Sequence, residues 1–243
     1  MKIIKGVLSL FWRLWFALCF AIPFIVLLPI TIFMTLSPKF YPVLYFFLHR
    51  ISKFMIYASG IFPKINKEHK LDPRKQYLFC SNHTSTIDIP MMFFLSKKPI
   101  SFIGKESISK YPIFGYYYKR FNVLVNRASL RNSYAAFEQA GQKIKAGQNM
   151  VIFPEGGIVE ESILLGKFKN GPFRLAIEQN VSIIPITFAD NKKIFPIKYT
   201  KGKPLRARVT IHKPIENCSE YNIKELKNKV FTTIEKELIR YEN

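Results

Sequence analysis

Asn82-His83-Thr84-Ser85-Thr86-Ile87-Asp88 sets an imidazole and a carboxylate near each other, directly behind the apolar run Tyr77-Leu78-Phe79-Cys80. An imidazole that titrates near neutrality, beside a carboxylate that holds its tautomer, is the minimum equipment for taking a proton from an alcohol. Such a pair is more often a structural hydrogen bond or a helix cap, so its company must decide. From His83 to Asp88 an ideal helix turns by roughly 500°, so the two would not share a helical face. The spacing therefore predicts His83 in a turn and Asp88 in the first turn of the helix that follows, where α/β proteins commonly place chemistry.

Three further strand-like runs end in residues that can serve a site. Met150-Val151-Ile152-Phe153 runs into Pro154-Glu155-Gly156-Gly157, a carboxylate followed by glycines that permit close approach of a ligand to the backbone. An ordinary glycine turn with a solvated Glu155 has the same composition. Val123-Leu124-Val125 runs into Asn126-Arg127, where a guanidinium suits bidentate recognition of a phosphate. Lys105 closes Ile100-Ser101-Phe102-Ile103-Gly104 as a second cation. Both cations have a plain alternative as surface residues. Ile183-Ile184-Pro185-Ile186 contains a proline that belongs at a sheet edge or a bulge and serves packing. Cys80 lies inside an apolar run, where a cysteine is inert more often than nucleophilic. The chain has no Gly-x-Ser-x-Gly elbow and no Gly-x-Gly-x-x-Gly fingerprint.

The elements that must hold these residues follow from periodicity. Apolar runs at 77–80, 100–103, 123–125, 150–153, 183–188 and 208–211 alternate with helical patterns at 87–95, 130–146, 172–179 and 220–241. The alternation predicts an α/β fold: a mixed, largely buried sheet flanked by helices. Residues 14–36 carry no charge over a length sufficient to cross a bilayer, although Pro23 and Pro29 would kink a helix there. Residues 40–62, rich in Phe and Tyr but carrying His49, Arg50 and Lys53, suit a helix in the membrane interface with its basic groups towards lipid headgroups. The alternative is a pair of helices packed on the rest of the protein. Lys64 to Lys75 is polar and basic and suits a linker. The expected division is thus residues 1–66 as N-terminal membrane-associated helices and 67–243 as the α/β domain.

Lys and Arg total 37 against 16 acidic residues, a formal charge of +21, which implies an anionic partner. With 49% hydrophobic residues and 23 Phe, a membrane surface or a phosphorylated lipid fits better than nucleic acid. Three separated cysteines (Cys19, Cys80, Cys218) and four histidines without ligand spacing point to neither a disulfide framework nor a metal site.

The order Asn82-His83-x4-Asp88, Gly104-Lys105-Glu106, Asn126-Arg127, Phe153-Pro154-Glu155-Gly156 and Ile184-Pro185-Ile186 resembles the 1-acylglycerol-3-phosphate acyltransferase family. Phe168-Lys169-Asn170-Gly171 with Leu175-Ala176 resembles the segment that family places between its last two motifs. The resemblance covers roughly residues 75–215. It implies that His83 is the general base and Asp88 orients it, that Lys105 and Arg127 contact the acceptor's phosphate, and that Glu155 and Gly156 lie in the acceptor-binding part of the cleft. It implies transfer of a fatty acyl group from acyl carrier protein or coenzyme A to a lysophospholipid at a membrane, with the catalytic domain on the cytoplasmic face. The thioester would be the co-substrate, with no separate cofactor, metal or nucleic acid. One departure stands out: the family commonly has Glu-Gly-Thr-Arg where this chain has Glu155-Gly156-Gly157-Ile158. The missing guanidinium opens the choice of acceptor to another lysolipid. A non-catalytic lipid-binding membrane protein is the alternative from outside enzymology.

Overall fold

The computed structural model describes residues 2–111, 114–125 and 130–242. Two helices, α1 (Lys2–Met34) and α2 (Tyr41–Ala58), lead into β1 (Phe62–Lys67) and β2 (Tyr77–Ser81). Next come α3 (Asp88–Leu95), β3 (Ile100–Lys105), α4 (Phe114–Phe121), β4 (Val123–Val125), α5 (Leu130–Lys145) and β5 (Asn149–Ile152). The chain closes with α6 (Gly171–Glu178), β6 (Ser182–Phe188), the short α7 (Asn191–Ile194), β7 (Arg206–Ile211) and α8 (Ile223–Glu242). The strands make one seven-stranded mixed sheet, ordered β1-β7-β6-β2-β5-β3-β4. Neighbours are parallel throughout except β6 and β7.

β2 is buried along its whole length because it lies inside the sheet with helices over both faces. Tyr77 and Phe79 pack on one face with Met55 of α2 and Met91 of α3. Leu78 and Cys80 pack on the other with Phe173 of α6 and Leu226 and Val230 of α8. Each such fully buried aliphatic or aromatic side chain contributes about 1.5–3 kcal/mol. That two-sided core holds the C-terminal end of β2 in place.

The sheet corrects the linker expectation and meets the one for Pro185. The stretch 64–75 is not simply a linker, since Phe62–Lys67 pairs in parallel with β7 as an edge strand, mostly exposed and therefore without an apolar run. The boundary expected at residue 66/67 falls inside that strand. Pro185 lies on an interior strand, yet at a bulge: Ile183 pairs with Ile215 and Ile186 with Ile211, so three steps along β6 face four along its partner. His212 N–H donates to the Pro185 carbonyl within that bulge (3.0 Å).

α1 is one helix running through Pro23 and Pro29, about 50 Å long at 1.5 Å per residue. It is long and apolar enough to cross a membrane by length and composition. It also lies along the domain. Near its start, Ser9 donates to the Tyr199 carbonyl, Trp12 to Ser59 and Trp15 to Ala58. Near its end, the Thr31 and Thr35 hydroxyls pair with those of Tyr117 and Tyr116 of α4, each at 2.8 Å. Arg13, 8% exposed, donates to the carbonyls of Pro196, Lys198 and Lys201 and lies 4.2 Å from the Phe195 ring centroid. The opposite face of α1 is apolar and bare, with Ile3, Phe11, Trp15, Ile25, Val26 and Phe33 between 52% and 83% exposed. In α2, His49 is not turned towards headgroups as expected. It is buried, with Nδ1 2.7 Å from the Phe93 carbonyl.

Candidate active site

β2 ends at Ser81, the chain turns, and α3 begins at Asp88. Asn82 fixes the turn's entry by extending the sheet. Its Oδ1 accepts from Phe188 N–H (2.8 Å) and its Nδ2 donates to the Phe188 carbonyl (3.0 Å). The Asp88 side chain, fully buried, folds back over the turn. Its Oδ2 accepts from His83 Nδ1 (2.9 Å), Thr84 N–H (2.8 Å) and Ser85 N–H (2.9 Å). Its Oδ1 accepts from Asn191 Nδ2 (2.7 Å). Because a carboxylate only accepts, His83 carries its proton on Nδ1 and presents a lone pair on Nε2.

Nε2 of His83 has no hydrogen-bond partner among the described residues, and the side chain is 12% exposed. Phe153, just beyond β5, stacks on the imidazole with ring centroids 4.0 Å apart and an interplanar angle of 13°. One ring nitrogen is anchored, one is open, and the ring face is covered. Such an arrangement can accept a proton from a hydroxyl placed at Nε2 and return it to a leaving group.

Glu155 supports the turn from behind. Oε1 accepts from His83 N–H (2.5 Å) and Oε2 from Gly166 N–H (2.7 Å). Gly166 is required for that approach, since an added Cβ would meet Glu155 Oε2 at 2.7 Å. Burial pushes the Glu155 carboxyl above its ordinary range, while the two N–H donors pull it back down. The loop is laced further by Val159 N–H to the His83 carbonyl (3.2 Å) and Lys169 N–H to the Pro154 carbonyl (2.8 Å).

Comparison with known proteins gives this geometry a family. The acyltransferase family model matches residues 63–189, just over half of the chain. The chain belongs to the acyltransferase family. Over 153 residues the chain is 29% identical to a 1-acyl-sn-glycerol-3-phosphate acyltransferase of Chlamydomonas reinhardtii, covering 62% of this chain and 46% of that protein. It is 25% identical over 207 residues to a probable 1-acyl-sn-glycerol-3-phosphate acyltransferase of Mycoplasma pneumoniae, covering 79% and 77%. The chain spans about half the length of the algal relative. The fold matches the crystal structure of the 1-acyl-sn-glycerophosphate acyltransferase PlsC from Thermotoga maritima with a TM-score of 0.80 at 19% identity, covering 100% and 98% of the two chains.

The fold brings three of the sequence-derived site residues together: His83, Asp88 and Glu155. Glu155 accepts one main-chain donor at each carboxylate oxygen, which ties it to the His83 turn and to Gly166. Gly156 turns the chain beside it at φ +86°. Lys105 stands exposed at the end of β3, with β5 between its strand and β2, about 10 Å across the sheet. Arg127 and Asn126 lie outside the described residues. The turn N–H groups of His83, Thr84 and Ser85 are all taken by carboxylates, so they cannot serve a developing oxyanion. Cys80 is buried and its thiol is pushed far up by desolvation, as its apolar run suggests. Sequence reasoning missed Asn191 and Gly166, neither of which has a local signature. It had Phe153 as the end of a run and the head of the Phe153-Pro154-Glu155-Gly156 motif, with no role of its own.

Proposed function

We propose that the protein is a membrane-bound O-acyltransferase that moves a fatty acyl group from a thioester to the free hydroxyl of 1-acylglycerol-3-phosphate, giving phosphatidic acid. The observation that carries this reading is the open Nε2 of His83, with Nδ1 pinned to a buried Asp88. The acceptor hydroxyl gives its proton to Nε2 as its oxygen attacks the thioester carbonyl. The tetrahedral intermediate then expels the thiolate, which takes the proton from the imidazolium. A thioester is already activated, so a positioned base suffices and no covalent enzyme intermediate forms. Donors for the oxyanion come from outside the His83 turn; Gly156 N–H is given to the Phe153 carbonyl (3.0 Å), and the main chain at Gly157 is our candidate. An added Cβ at Gly157 would meet nothing within 4 Å, so that side is open. Acyl-coenzyme A and acyl carrier protein both satisfy this chemistry as donor.

The membrane reading follows from α1. Ser9, Arg13 and Thr31 of α1, and Thr35 just beyond it, are buried against the domain, while the apolar side of the helix is bare. A helix held alongside a polar domain at both ends suits burial in one leaflet, with the domain resting on the cytoplasmic surface where thioesters are made. Lys105, Lys167 and Lys169, all exposed, together with Arg127, are the proposed cations for the acceptor's phosphate.

A different lysolipid acceptor is the second reading, favoured by Gly157-Ile158 where the related motif has Thr-Arg. The deciding experiment supplies purified protein in lipid nanodiscs with labelled acyl-coenzyme A or acyl carrier protein and a panel of lysolipids. Fastest turnover with lysophosphatidic acid supports the first reading. Preference for an amino-acid-containing lysolipid supports the second. Vesicle binding without turnover on any acceptor would leave only a lipid-binding role.

A further inference from the structure

Asp88 Oδ2 collects three donors from its own turn, including the imidazole. All three lie within five residues of it and leave Oδ1 free to swing out of plane. The bond that holds Oδ1 comes from Asn191 Nδ2, at 2.7 Å and 103 residues away. Asn191 is fully buried, and its own Oδ1 has no hydrogen-bond partner among the described residues. An unpaired buried carbonyl costs about 1–3 kcal/mol, which an apolar residue of similar size would avoid. Reversing the amide would set its oxygen against a carboxylate oxygen, so the Nδ2-to-Asp88 orientation is chemically determined. A side chain kept at that cost is kept for its N–H.

The element carrying Asn191 is itself clamped. Asp190, just before α7, does not cap that helix with its side chain. Its carboxylate receives the Arg208 guanidinium of β7 through Nε (2.8 Å) and Nη2 (2.7 Å), and Arg208 N–H at 2.9 Å. At the far end of α7, the Phe195 carbonyl accepts from the Ser85 hydroxyl (2.6 Å) in the His83 turn. We propose that Asn191 is a positioning residue for acyl transfer: it fixes the plane of the Asp88 carboxylate and, through it, the direction in which His83 Nε2 faces the acceptor hydroxyl. The inference rests on His83 being the base, as argued above.

Asn191→Leu removes the donor at nearly constant volume, and Asn191→Ala is the second variant where Leu does not fold. The hydrogen-bonded Nδ1 proton of His83 is followed by NMR in histidine-labelled protein and assigned by its loss in His83→Ala. In the Asn191 variants that resonance moves upfield or exchanges away. With the best lysolipid, kcat falls by about 10- to 100-fold, while both KM values stay within about twofold. In an Asp88→Ala background the same substitution costs nothing further. An unchanged resonance with wild-type kcat overturns the proposal. So does an equal loss of kcat with and without Asp88, the signature of a general packing role. If the wild-type protein transfers no acyl group to any acceptor, the functional reading fails, and the resonance alone still decides whether Asn191 holds the pair.

Discussion

Two histidines on this sheet are paired with carboxylates through Nδ1 at almost the same distance: His83 with Asp88 at 2.9 Å and His212 with Glu68 at 3.0 Å. Their second nitrogens separate them. His212 Nε2 is bonded to the Thr187 hydroxyl (2.8 Å), so both sides of that ring are consumed inside the protein. His83 Nε2 is open. The carboxylates differ in the opposite sense. Asp88 is wholly buried and tied by four donors, whereas Glu68 is 36% exposed. A histidine–carboxylate pair becomes a base only when the acid is immobile and the far nitrogen is unoccupied. The His212 pair meets neither condition and serves to join β7, β6 and the segment after β1.

Substitution at the two rings should break this comparison most sharply. His83→Ala is expected to lower kcat by about 10²–10⁴-fold with the thermal midpoint nearly unchanged. His212→Ala should instead leave turnover close to wild type and cost about 1–3 kcal/mol of stability, because Thr187 and Glu68 lose a buried partner. Equal losses of activity at the two sites would mean that the open nitrogen is not what distinguishes them.

Exchanging the acids gives the next largest effect. Asp88→Asn cannot accept from all the present donors and favours the wrong imidazole tautomer, so kcat should fall by about 10²-fold or more. Glu68→Gln should change kcat by less than about twofold. Steady-state assays of both variants, each checked by circular dichroism, test the contrast.

The smallest effect concerns pH. Burial holds the His212 pKa below its ordinary 6.5, with Glu68 acting against that shift. The unfolded chain then binds the proton at a higher pH than the folded one. The resulting stability is complete above about pH 6.5 and is lost as pH falls towards the folded value. His212→Gln should therefore show a shallower fall in thermal midpoint between about pH 7.5 and 5.5 than wild type. Parallel curves would show that His212 is not held neutral by burial.

Much of the fold is legible in the chain. Runs at 77–80, 100–103, 123–125 and 183–188 fall within β2, β3, β4 and β6, and the helical patterns overlay α3, α5, α6 and α8. These elements are buried on one or both sides, so their periodicity reports their environment. β1 escaped because an exposed edge strand has no apolar run to announce it. In the site, Glu155 was legible as a residue but its hydrogen-bond partners were not, because they are main-chain N–H groups that no side-chain pattern records.

The sequence by itself determined the order of motifs, the strand–turn–helix around His83 and the apolar character of α1, since each depends on residues close together in the chain. Only the tertiary structure decided that His83, pinned through Nδ1 to a buried carboxylate, keeps Nε2 without a partner among the described residues, that Asn191 reaches Asp88, and that α1 lies along the domain. Those outcomes depend on which distant backbone or side chain fills the last hydrogen-bonding position, and that is settled by packing across the sheet.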